Sequence, residues 1–247
     1  MTVVTRLFTT SIGKKLIMGV TGMALCGFVF IHMIGNTLIF FGQDTINHYA
    51  ANVLRFIPEA LWLFRVGLLT CAILHIWMAI SLSIENKKAR PKEYLDKKPL
   101  TATLASRTMS LTGIVISVFI IFHILHFTTR NVPAISTTLE GESFNDLHAD
   151  LHGQQVHDVY TMVEKAFQKP WVVGFYIVSM ALVAWHLSHG FQSFFQSLGL
   201  KGRGYQVIID HGGTVFAWVI FVGMSSVPIA VITGTHQILF SLIGVGH

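Results

Sequence analysis

Charge is what this sequence lacks most. Only 12% of its 247 residues are Asp, Glu, Lys or Arg, against roughly 25% in an ordinary soluble domain, which excludes a self-standing water-soluble globule. Cysteine is scarce as well. Cys26 and Cys71 both lie in apolar runs without CxxC or Cys/His spacing, giving no support to a disulfide framework, a zinc site or an iron–sulfur cluster; they read as small buried hydrophobes. The chain has no GxGxxG phosphate loop with which to hold FAD, and no internal repeat or low-complexity tract. Nor does it start with a recognisable cleavable leader. The basic cluster Arg6, Lys14 and Lys15 runs into an apolar stretch too long for a signal peptide, so the first span is expected to be retained.

Hydrophobicity is what the sequence has. Apolar residues make up 52% of it, with a mean hydropathy of +0.61, and charged residues divide it into five long uncharged runs: 16–43, 66–84, 108–129, 170–200 and 211–247. Each is long enough for one crossing, which needs about 20 residues. The expected fold is all-α: one domain, 1–247, of five transmembrane helices at about 15–41, 60–86, 106–130, 170–198 and 211–235. An odd number of spans places the termini on opposite sides.

Orientation follows from the basic residues. The N-terminal tail, the 85–107 connection (Lys87, Lys88, Arg90, Lys92, Lys97, Lys98, Arg107) and the 198–210 turn (Lys201, Arg203) hold most of the Lys and Arg. That side is expected to be cytoplasmic, with the N-terminus on it and the C-terminus outside. The opposite side carries Arg55, Arg65, Arg130, Lys165 and Lys169 among a larger number of acids. A net charge of +5 distributed this way reads as membrane topology and as a docking face for a cytoplasmic partner, not as a nucleic-acid surface.

The longest connection runs from Asn131 to Lys169. Val156, Val159, Tyr160, Val163 and Phe167 recur in it at helical spacing, predicting an amphipathic helix over about 154–168 on the outer membrane surface. His148, His152 and His157 stand nearby with Asp150. An i,i+4 histidine pair can bind a metal, but a histidine-rich polar loop is the plainer reading. Pro170 and Trp171 mark the start of the fourth span.

Histidine carries the chemistry. Of thirteen, His32 falls inside the first span, His75 in the second, His123 and His126 in the third, and His186 and His189 in the fourth. His211, His236 and His247 lie near the ends of the fifth. An imidazole in lipid needs a partner. One such residue is readily a packed core histidine; imidazoles in four separate spans are hard to explain as packing. At 1.5 Å per residue, His32 and His123 lie about 25 Å from the cytoplasmic charges and His75 and His186 about 20 Å. His189 matches His75 in depth at least as well as His186 does. Two tiers of paired imidazoles are what two bis-histidine haems require. Gly19, Gly22, Gly27, Gly67, Gly113, Gly174 and Gly190 would let helices or a flat macrocycle approach closely.

The chain resembles a known family on four stretches: FVFIHMIGN in the first span, ILHIW in the second, LTGIVISVFIIFHILHF in the third and GFYIVSMALVAWHLSHG in the fourth. The family is the single-chain, five-helix, dihaem cytochrome b membrane anchor of succinate:quinone oxidoreductase, which covers succinate dehydrogenase (complex II) and fumarate reductase. Its third-span ligand stands ten residues after a TG glycine, which implies His123 over His126. Its fourth-span ligand follows GFYIV by eight residues, which implies His186 over His189. The resemblance thus implies a haem near the cytoplasmic side on His75 and His186, and a second near the outer side on His32 and His123. It further implies a bacterial inner (cytoplasmic) membrane location, flavoprotein and iron–sulfur partner subunits holding FAD and the clusters, and a quinone, usually menaquinone, as substrate.

Some fumarate reductases of the family carry a glutamate two residues before the fourth-span ligand. Ala184 occupies that position here, and no carboxylate lies between Pro170 and Leu200, which favours succinate oxidation as the working direction over fumarate reduction. Asp44, His48, Glu59 and Arg65 are candidates for a quinone or proton site. Glu59 also suits a helix first turn after Pro58, and Arg65 also suits snorkelling. Arg107, Lys201 and Arg203 are candidates for haem propionates, and each also satisfies the inside-positive bias. The rival readings are a cytochrome b of another membrane dehydrogenase and a transporter with histidine proton relays; the latter predicts inverted repeats, which the sequence does not show.

Overall fold

The computed structural model describes residues 2–89, 104–202 and 204–237. Arg90, Lys92, Lys97, Lys98, Arg203 and His247, named above, lie outside the described residues. In chain order the helices are α1 (Val3–Thr9), α2 (Ser11–Thr37), α3 (Gln43–His48), α4 (Pro58–Lys88), α5 (Leu104–His123), α6 (Val159–Phe167), α7 (Pro170–Ser197) and α8 (Gln206–Ile232), with a hairpin of β1 (His148–Leu151) and β2 (Gln154–His157) ahead of α6. Five helical segments are long and apolar enough to cross a membrane: Ser11–Phe41, Pro58–Lys88, Arg107–Thr129, Pro170–Ser197 and Gln206–Thr233. They carry exposed apolar side chains such as Leu63, Ile114, Val178 and Val222. In water that exposure would cost about 25 cal/mol per Å²; lipid removes the penalty.

The helix ends differ from the expected bounds for local reasons. α2 starts earlier because the Thr10 hydroxyl accepts the Gly13 amide at 3.1 Å, a side-chain cap for orphan donors. α4 starts at Pro58 with Glu59 in its first turn and ends on Lys87 and Lys88, each charge placed favourably for the helix dipole. α8 runs back to Gln206, past the charge at Asp210 that bounded the expected span. Lys201 neutralises that carboxylate at 2.6 Å.

The chain divides into two compact units. One comprises Met1–Val29, Leu63–Ile114 and Val183–Trp218; the other Phe30–Trp62, Val115–Leu182 and Val219–His247. Each therefore draws on all five long helices. In the first unit Lys14, on α2, is buried and bonds Ser81 and Glu85 of α4. A buried ammonium survives only when paired and hydrogen-bonded, so Lys14, expected to be a topological charge, is also a link between two helices.

The second unit holds the hairpin and the short helices α3 and α6. His152 and Gly153 adopt left-handed backbone, with φ of 54° and 86°, and make the tight turn that pairs β1 with β2, His148 opposite His157. That turn corrects the expected helix over 154–168: Gln154–His157 is strand, and the helix begins only after its N-cap Asp158. The apolar face of α6 also packs on protein, with Met162 and Ala166 buried among Phe144 and Leu147. The α6 N-terminus is tied to α3. Asp158 accepts Thr161 N at 3.0 Å and Asn47 Nδ2 at 3.0 Å, while Asn47 Oδ1 accepts Val159 N at 2.9 Å and Tyr160 N at 3.2 Å. Gln43 Nε2 donates to the other carboxylate oxygen at 2.7 Å. Both central residues are buried, and their mutual bonding satisfies them. Burial alone would push the Asp158 carboxyl up, but the donors from Asn47, Thr161 and Gln43 hold it below its ordinary value.

Candidate functional site: two facing histidine pairs

In the first unit, His75 on α4 faces His186 on α7, with ring centres 6.4 Å apart and planes at 65°. Their outer nitrogens are already engaged. His75 Nδ1 lies 2.9 Å from the Met18 carbonyl, which can only accept, so the ring carries its proton on Nδ1. His186 Nδ1 lies 3.1 Å from the Thr112 hydroxyl, which is also 3.1 Å from the carbonyls of Thr108 and Met109. A hydroxyl has one proton. Spent on a helix carbonyl, it leaves the Thr112 oxygen as acceptor, and His186 too carries its proton on Nδ1. Both rings then keep an unprotonated Nε2, and a hydrogen bond to the opposite nitrogen fixes an imidazole's tautomer and orientation.

Glycine makes room for the pair. A Cβ at Gly22 would stand 2.9 Å from His75 Cε1 and 3.1 Å from Nδ1, whereas one at Gly113 would stand 3.6 Å from His186 Cε1. Gly19 faces Phe194, and Gly27, Gly67, Gly174 and Gly190 have no such neighbour within 4 Å. His189 bonds along its own helix, Nε2 to the Ser193 hydroxyl at 3.1 Å. The structure thus pairs His75 with His186, where depth alone left His189 equally placed.

In the second unit, His32 on α2 faces His123 at the end of α5, ring centres 5.7 Å apart and planes at 85°. His123 Nδ1 is 3.2 Å from the Tyr176 hydroxyl of α7, and His126 Nδ1 is 3.0 Å from the same oxygen. His126 opens no path to solvent: it is fully buried. It sits in the π-helical turn Ile124–Thr129 that continues α5, a widened turn of the kind found at functional sites.

The other candidates are placed more simply. Asp44 and His48 lie at the two ends of α3 and Glu59 in the first turn of α4, all three exposed in the second unit; Arg65 is exposed on α4 in the first. Arg107 is exposed at the start of its span. The hairpin histidines bond backbone, His148 Nδ1 to Asp146 O at 2.8 Å and His157 Nδ1 to Leu147 O at 3.0 Å. Burial, then the nearby Arg130 guanidinium, lowers His157 to about 4. Among the described residues no group of three or more His, Cys, Asp or Glu is placed to hold a metal ion.

Thr112, Tyr176, Met18 O and the Asn47–Asp158 contact escaped sequence reasoning. Thr112 had a signal, standing beside Gly113 in the TG dipeptide; the Met18 carbonyl had none. Comparison with protein-family models, with curated proteins and with solved structures finds no match.

Proposed function

We propose that this chain is the dihaem cytochrome b anchor of a succinate dehydrogenase, passing electrons from an iron–sulfur partner to menaquinone in a bacterial cytoplasmic membrane. One observation carries the reading: two facing imidazole pairs, each drawn from two different long helices. An iron held between two imidazoles at about 2 Å each would need ring centres roughly 6 Å apart. The separations of 6.4 and 5.7 Å suit that distance. Spacing is not sufficient alone, since His148 and His157 are also 6.4 Å apart. Those two share a single hairpin with arginines beside His157, while each of the other two pairs draws its histidines from separate long helices. Two nitrogens leave a metal's other positions to another donor set, which a macrocycle supplies.

In this reading His75 and His186 hold one haem b and His32 and His123 the other. Haem b supplies reversible one-electron chemistry at a potential set by its ligands and their hydrogen bonds. Met18 O and Thr112 orient the first pair, and Tyr176 orients His123. The exposed basic residues Arg6, Lys15, Lys87, Lys88 and Arg107 face the cytoplasm in this reading and dock the iron–sulfur and flavoprotein subunits, whereas Lys14 is spent on its link to α4. Ala184 offers no carboxylate beside His186, consistent with succinate oxidation as the working direction. Asp44, His48, Glu59 and Arg65 remain the residues proposed for quinone binding or proton exchange.

A pyridine haemochrome assay with a reduced-minus-oxidised spectrum of the purified protein tests this. Two b haems per chain are expected, and none sinks the reading.

A further inference from the structure

The Tyr176 hydroxyl is shared by two histidines in a way that limits where the protons sit. One oxygen lies 3.2 Å from His123 Nδ1 and 3.0 Å from His126 Nδ1, and that oxygen carries a single proton to donate. It can therefore donate to at most one of the two rings, and at least one ring donates to it. If Tyr176 donated to His123, that ring would hold its proton on Nε2 and have no lone pair for iron. With His123 as a ligand through Nε2, its proton must be on Nδ1, given to the Tyr176 oxygen. Tyr176 then donates to His126 Nδ1, and His126 carries its own proton on Nε2. That atom is buried on a side chain with no solvent exposure, and the Ile135 backbone stands as a partner for the ring.

The first unit has no counterpart of this chain. The Met18 carbonyl accepts from His75 and passes nothing on, and Thr112 gives its proton to its own helix. Tyr176 is held in place by aromatic contacts, with Phe119 at 5.2 Å and Phe167 at 5.1 Å between ring centres, so the hydroxyl is set by packing as well as by its two partners.

We propose that Tyr176 is a positioning residue that locks His123 in its Nδ1–H form and, through the same hydroxyl, makes His126 a buried Nε2–H donor. This rests on His123 being a haem ligand. Donation from Nδ1–H to oxygen makes an axial imidazole more electron-rich and favours ferric iron; removing the acceptor favours ferrous iron. Losing His126 weakens the acceptor only indirectly.

Redox potentiometry of the purified complex, with electron paramagnetic resonance to tell the two haems apart, tests the proposal. Tyr176→Phe is expected to keep both haems, raise the potential of the haem on His32 and His123, and leave the other unmoved. His126→Leu is expected to raise the same potential by less. Unchanged potential in Tyr176→Phe, or a larger shift in His126→Leu, overturns the proposal. If Tyr176→Phe loses that haem, recovery in Tyr176→Gln, which restores an acceptor, supports the proposal and failure to recover overturns it. Absence of haem from the wild-type protein would instead overturn the functional reading, and this proposal with it.

Discussion

The two histidine pairs are built from the same parts and held by different means. His75 and His186 each give their Nδ1 proton to a terminal acceptor, a backbone carbonyl and a threonine whose own proton is committed to its helix. His123 shares the Tyr176 hydroxyl with a second, buried histidine, His126. A terminal acceptor fixes a ring and ends there. A shared hydroxyl makes one ring's state depend on another's. The two units therefore offer two different environments for the same kind of histidine pair.

The largest effects should come from removing a ligand. His186→Ala is expected to lose one of the two b haems, and His123→Ala the other, whereas His189→Ala keeps both. Haem content per chain reads the result; loss of a haem in His189→Ala with retention in His186→Ala would overturn the assignment made from the His75–His186 pair. Next comes the wall behind the first pair. Gly22→Val pushes a side chain into His75, and the haem of that pair is expected to drop out, while Gly113→Ala is tolerated because its Cβ clears His186 at 3.6 Å. Equal haem retention in both variants would mean that the ring shifts freely and that Gly22 serves only helix packing.

Much of this arrangement was legible in the sequence, and the remainder was hidden for identifiable reasons. Five uncharged runs foretold five long helices because lipid tolerates no other open-chain solution. His32, His75, His123 and His186 stood out because imidazoles are costly in apolar spans. Depth counting left His75's partner open, since it resolves only about one helical turn while the pairing depends on which face each ring occupies; the family spacing after GFYIV was what singled out His186. The hairpin was missed because Val156, Val159 and Val163 fit a helical period across the Asp158 boundary. A turn at His152–Gly153 decided the matter, and His is a weak signal for left-handed backbone. Lys14 read as a topological charge, since nothing in the sequence joins it to Glu85.

The second unit differs from the first in having a polar clasp outside its long apolar helices, and acid should open it. His157 is lowered to about 4 from an ordinary 6.5 by burial and then by Arg130. Its unfolded form therefore binds a proton first, and the stability it contributes declines as pH falls from about 6.5 to 4. Asp158 is held below its ordinary value, so its contribution persists above the usual carboxylate range and is lost only as pH falls through its depressed value. Protection of the amides in α6 and the hairpin, taken relative to their intrinsic exchange rates, should fall over the His157 window while the first unit stays protected. Asp158→Ala removes an N-cap and strips Asn47 and Gln43 of a partner, which should cost about 2–4 kcal/mol locally. Uniform exchange in both units across that range would sink the idea of a separately acid-labile clasp.

The smallest expected effect is the most pointed test of the comparison. Thr112→Val deletes the acceptor for His186 Nδ1 but touches no relay, because Thr112 passes no proton onward. Both haems should remain, and the haem on His75 and His186 should rise slightly in potential, by less than its counterpart rises in Tyr176→Phe. The hydroxyl is lost in either variant, so the difference between the two shifts isolates what the added histidine contributes. A shift in Thr112→Val as large as that in Tyr176→Phe would show that a single hydrogen bond to the ligand sets the potential in both units. His126 would then be a packed core residue and nothing more.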